Sequence, residues 1–124
     1  MKTTKSILIV SRDRVLQTTR RLVLEQSGYC VSSAHSDAEA IQFVKGPDSY
    51  SLVLLCHSVP EMSRLFLVET LKILQPTLPI LMLYNSYDPS LAKVDASMHS
   101  LESPVSLLEV IGRLTQPARL ADAH

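Results

Sequence analysis

The chain has 124 residues, 46% of them hydrophobic, enough for one domain whose core needs neither a metal nor disulfides. Lysine plus arginine equals aspartate plus glutamate at 12 each, so no net field draws it to nucleic acid or an anionic membrane surface. No apolar run approaches the roughly 18 to 20 residues of a membrane span, the start "MKTTKSILIVSRD" lacks a leader's cleavage signature, and Cys30 and Cys56 lack zinc or redox spacing; a cytoplasmic protein with two reduced thiols is expected.

"KSILIV", residues 5–10, is continuously apolar after its lysine and β-branched, the pattern of a strand covered on both faces. From Arg14 to Ser27, Val15, Leu16, Thr19, Leu22 and Val23 form one helical stripe, with Asp13 placed to cap its start and Gly28 its end. "YCVSSA", residues 29–34, predicts a shorter, more polar strand. Ser36 before "DAEAIQFV", with Glu39 three residues on, has capping-box spacing, and Gly46-Pro47 stops that helix. "SLVLLC", residues 51–56, is a third strand ending at the turn that leads to Pro60, and "RLFLVETLKILQ", residues 64–75, predicts a helix with Leu67, Val68, Leu71 and Leu74 inward.

"LPILMLY", residues 78–84, is a fourth buried strand. Beyond it only Leu91, Val94 and Met98 keep helical spacing, predicting a short or frayed fourth helix, then a short strand around His99 to Glu102. The last helix starts near Pro104 with Leu107, Leu108, Ile111 and Leu114 on one face, and residues 116–124 read as a loose tail after a domain spanning 5–115. Strands alternating with helices make βαβ units, and hence an α/β fold with a parallel sheet.

This order, with "ILIV" before one loop, "LVLL" before residue 56, Pro60 four residues later, "LPILML" before Tyr84 and "SLESP" before the last helix, resembles the receiver domain of two-component response regulators over essentially the whole chain. The resemblance implies a doubly wound, flavodoxin-like, five-stranded parallel sheet of order 2-1-3-4-5, helices on both faces, and a site at the carboxyl ends of the strands. In that family an aspartate after strand 3 accepts a phosphoryl group and an acidic pair after strand 1 holds magnesium. A threonine or serine after strand 4 and a lysine after strand 5 contact the phosphoryl oxygens, and an aromatic near strand 5 switches.

The matching positions here carry other chemistry: Ser11 and Arg12 replace the acidic pair, Cys56 the acceptor, Tyr84 the hydroxyl residue, Ser103 the lysine and Ser100 the switch aromatic. Phosphoryl transfer of this kind needs a carboxylate nucleophile and a divalent cation, so neither magnesium binding nor phosphorylation at residue 56 is expected, and no cofactor, metal or catalytic residue is assigned. Two alternatives stand beside this. Cys56 is a working thiol, its pKa lowered by Arg12 nearby, or a displaced acid (Asp13, Glu61 or Glu102) supports conventional phosphorylation. His57 next to Cys56 points to the opposite side of an extended chain, which disfavours a dyad, and His35, His57, His99 and His124 lack metal spacing.

Tyr84 is large where the family is small, and Ser100 small where it is large; the expectation is that Tyr84 fills the absent aromatic's space and holds one conformation. What remains for such a domain is recognition. Met62, Phe66 and Ile73 lie off the core stripe of the third helix and form a candidate patch for a protein partner, either a signalling protein or a second copy, although single exposed apolar residues are ordinary.

Overall fold

The computed structural model describes residues 5–86 and 93–116. In chain order these form β1 (Ser6–Val10), α1 (Arg14–Gln26), β2 (Cys30–Ala34), α2 (Asp37–Lys45), β3 (Leu52–Leu55), α3 (Glu61–Leu74), β4 (Ile80–Tyr84), β5 (Ala96–His99) and α4 (Pro104–Leu114). The sheet is parallel throughout with order β2-β1-β3-β4-β5, as the resemblance to receiver domains implies.

Side chains on a strand alternate between faces, so each buried strand feeds two cores. Leu8, Val10, Val53, Leu55, Ile80 and Met82 pack with Ala40 and Val44 of α2 and Leu67, Val68 and Leu71 of α3. Ile7, Ile9, Leu52, Leu54, Leu81 and Leu83 pack on the other face with Leu24 of α1 and Leu107 and Ile111 of α4. Cys56 continues the alternation of Leu52 and Leu54 and therefore faces α1.

Helix ends follow their caps. Asp13 Oδ1 accepts from Leu16 N at 3.0 Å and Ser36 Oγ from Glu39 N at 3.2 Å, while Glu39 reaches back to His35 N, one residue before the expected partner. Gly28, at φ 99, closes α1 with backbone bonds from Gly28 N to Glu25 and from Tyr29 N to Leu24.

Several expectations need correction. The buried residues of α1 are Gln17 and Leu24, whereas Val15 and Leu22 are exposed. The helix is rotated because Gln17 Nε2 donates to the carbonyls of Ile9 (3.3 Å) and Ala34 (3.2 Å), fixing a polar residue against the sheet. Helix α3 starts at Glu61, one turn earlier than predicted: Pro60 has helix-compatible φ and Glu61 is an acid favourable to the helix N-terminus. Its Leu74, expected inward, is partly exposed at the helix end.

Strand β5 lies three residues before its predicted place. Asp95 anchors it, with Oδ2 accepting from Ile80 N (2.7 Å) and pairing with Lys72 (2.6 Å), so Met98 belongs to this strand rather than to a helix. The expected fourth helix falls largely on residues 87–92, and the tail on 117–124, both outside the described residues.

Candidate functional site

The loops at the carboxyl ends of β1 and β3 are joined by hydroxyls. Ser58, two residues after Cys56, accepts with Oγ from Arg12 N at 2.9 Å and Asp13 N at 3.2 Å, and shares a 3.0 Å bond with Ser11 Oγ. Ser11, fully buried, also accepts from Asp13 N and donates to Asp13 O. Two hydroxyls thus satisfy the backbone N–H groups of Arg12 and Asp13, a neutral staple between the two loops.

Arg12 is not part of this cluster. Its guanidinium turns outward and pairs with Asp37 in the first turn of α2 at 2.7 Å. The cation beside Cys56 is Arg20, on the same inward side of α1 as Gln17 and Leu24 at i, i+3 and i+7. Cys56 has no exposed surface, and burial pushes its thiol pKa above the ordinary value despite the opposing pull of Arg20 and Ser11, with Asp13 adding to the rise. A raised pKa keeps the thiol in its neutral form, which does not favour the alternative of a low-pKa nucleophile beside Arg12.

His57 is held with its pKa below the ordinary range, first by burial, then by Arg20, with Arg64 and His99 adding to the effect and Asp13 opposing it. Arg64 of α3 donates to the carbonyls of His57 (3.2 Å) and Val59, bracing the loop. Tyr84 pairs in register with His99, and their rings meet edge to face at 5.6 Å; His99 Nδ1 in turn accepts from Leu101 N. Ser100 donates to the side chain of Asn85, and its N–H to the Tyr84 carbonyl at 2.8 Å. Ser103 caps α4 by accepting from Ser106 N and is exposed.

The structure thus brings Ser11 and Cys56 together, sets Tyr84 against His99, and turns Arg12 and Ser103 to other work. Sequence reading missed Arg20 and Ser58. Arg20 was legible only through the i, i+3, i+7 line that it shares with two residues now known to be buried, and Ser58 only as a hydroxyl two residues beyond the acceptor position.

A magnesium ion does not fit these residues. Hydroxyls of Ser11 and Ser58 are spent on each other and on backbone, Asp13 Oδ1 is spent as a helix cap, and Arg20 brings positive charge. Glu61 and Glu102 are exposed on α3 and before α4, and no group of three potential metal ligands occurs among the described residues.

No protein-family model matches the chain, and no curated protein matches it. Solved structures do. A CheY-like response regulator receiver domain protein from Methanospirillum hungatei superposes with a TM-score of 0.81 at 27% identity, covering 91% of this chain and 94% of its own. The fold is that of a CheY-like receiver domain. The response regulator TrrA from Thermotoga maritima, solved in complex with Mg(2+)-BeF, gives a TM-score of 0.79 at 23% identity over 90% of this chain and 99% of that one. A receiver domain protein from Clostridium thermocellum gives 0.80 at 17%, over 94% and 98%. Among the described residues no helix is long and apolar enough to cross a membrane.

Proposed function

We propose that this chain is a receiver-fold module of two-component signalling that binds a protein partner in the cytoplasm without being phosphorylated at residue 56 and without enzymatic activity of its own. The carrying observation is the content of the pocket: a buried neutral thiol beside the Arg20 guanidinium, and a hydroxyl staple between the loops that a metal would bridge. A thiol is not a carboxylate acceptor, and the positive charge needed to offset a developing phosphoryl charge has no oxygen-ligand cage to hold it.

Recognition then rests on the surface. Along α3, Met62, Phe66 and Ile73 are 85%, 51% and 80% exposed at helical spacing, on the side away from Leu67, Val68 and Leu71. The occupant of that face is a signalling protein or a second copy of the chain; a chain with no net charge and no described membrane-length helix supports neither nucleic acid nor a bilayer in this role. The pairing of Tyr84 with His99, and of Ser100 with Asn85, supports a domain held in one conformation rather than switched.

Incubation with acetyl phosphate and magnesium, followed by intact mass and peptide mapping, tests the reading. The account expects no acid-labile phosphoryl adduct. A stoichiometric adduct on Asp13, Glu61 or Glu102 would restore the displaced-acid alternative.

A further inference from the structure

Strand β2 ends the sheet, and no described strand pairs with its outer edge. Cys30 N donates to Lys5 O, and Ala34 O accepts from Ser11 N, so Cys30, Ser32 and Ala34 turn their backbone groups toward β1. Val31 and Ser33, between them, turn theirs outward. A sheet edge is ordinarily guarded by lysine, proline or a bulge. The run Cys30–Ala34 carries no charge and no proline, and its register with β1 is unbroken. A groove follows this edge, walled by Arg21 and Glu25 of α1 on one face and by Tyr50, which donates to Ser32 Oγ, on the other.

We propose that the β2 edge is an interface for a second copy of the chain, the two strands pairing antiparallel about a two-fold axis that passes through Ser32 normal to the sheet. That register sets Val31 of each copy opposite Ser33 of the other as hydrogen-bonded pairs, each exchanging both of its N–H···O bonds, and it keeps α1 of both copies on one face. Charge selects the same register. Arg21 lies over Ser33, donating to its Oγ at 3.2 Å, and pairs with Glu25 one turn further along α1, on the side of Tyr29 and Val31. Because Ser33 faces Val31 across the axis, each Arg21 stands level with Glu25 of the second copy, and opposite charges meet twice. A chain with no net charge adds no long-range repulsion between copies. Tyr29 N and His35 N are already bonded to Leu24 O and Glu39 Oε1, which ends the new ladder at Val31 and Ser33 and makes the dimer a modest one. The edge is separate from the α3 face and leaves that face for a signalling partner.

Sedimentation of the full chain over a concentration series tests the dimer, and cross-linking tests its register. A reversible monomer–dimer equilibrium is expected. Arg21→Glu and Glu25→Arg should each weaken it by about tenfold or more, since each sets like charges level across the axis, and the two together should restore it. Residues facing each other at the axis form a non-hydrogen-bonded pair with Cα atoms about 4.5 Å apart, within disulfide range. Ser32→Cys in a Cys30→Ser background should therefore cross-link with oxidised glutathione. The parent should not, because the register separates its two Cys30 residues by roughly 13 Å along the strands. Phe66→Glu with Ile73→Glu should leave the dimer unchanged, so failure of the α3 face and failure of the edge are told apart. A chain monomeric throughout, a charge-swapped double variant no tighter than the singles, parent Cys30 cross-linking as readily as Ser32→Cys, or loss of the dimer in the α3 variant overturns the interface.

Discussion

Removing the Ser58 hydroxyl probes the staple between the loops that follow β1 and β3. Ser58→Ala deletes three contacts, to Arg12 N (2.9 Å), Asp13 N (3.2 Å) and Ser11 Oγ (3.0 Å). Compensation is unequal. Asp13 N keeps Ser11 Oγ at 3.1 Å and Ser11 keeps Asp13 O, whereas Arg12 N is at the exposed side and can turn to water. At about 1 kcal/mol net per hydrogen bond, and with part of it recovered, the loss should be about 1–2 kcal/mol. For a domain of this length each kcal/mol moves Tm by roughly 4 °C, so a fall of about 4–8 °C is expected.

Ser11→Ala removes the shared contact from a fully buried position, so the double variant should lose less than the sum of the singles, with a coupling of at least about 0.5 kcal/mol. Urea denaturation of the four proteins reads both quantities. A Ser58→Ala protein as stable as the parent, or strictly additive single variants, would show that the two hydroxyls do not hold the loops together.

Other consequences are accessible to simple measurements. Iodoacetamide should label Cys30, which is exposed, and spare Cys56 until the domain opens; rapid native labelling of Cys56 would revive the thiol reading. Because the folded Cys56 pKa is raised, its contribution to stability is complete below the unfolded value of about 8.5 and is lost as pH rises toward the folded pKa. Cys56→Ala should therefore flatten the alkaline limb of a stability-against-pH curve, and an unchanged limb would contradict the burial argument. Phe66→Glu with Ile73→Glu should leave folding intact, since both are exposed, and abolish self-association or partner capture; an unchanged oligomeric state and capture profile retires the α3 face. Relaxation-dispersion NMR should find no exchange between two states around Tyr84 and Ser100.

The buried parallel strands were legible because three of them, at residues 5–10, 51–56 and 78–84, are largely apolar runs of the kind that burial on both faces produces, while the order of the strands came from the resemblance to receiver domains. The helix caps were legible for a similar reason: Asp13, Ser36 and Gly28 act through local backbone geometry that sequence specifies. Long-range contacts defeated the rest. The orientation of α1 depends on Gln17 bonding two strand carbonyls, so a polar residue took the inward place and displaced Val15 and Leu22 from the expected stripe. Strand β5 depends on Asp95 bonding Ile80 and Lys72, and only Ala96 and Met98 of its four residues carry an apolar signal. In the site, proximity in sequence suggested Arg12 as the cation near Cys56. The helix instead delivers Arg20, and Asp37 draws Arg12 away.

The most direct test of the pocket's chemistry is a titration with magnesium and beryllofluoride, followed by backbone NMR. Hydroxyls, thiol and guanidinium in place of a carboxylate cage should leave the resonances of Ser11, Cys56, Tyr84 and Ser100 unmoved beyond a general salt effect. Saturable, magnesium-dependent shifts centred on residue 56 would mean that the site gathers a cation and a phosphoryl mimic after all.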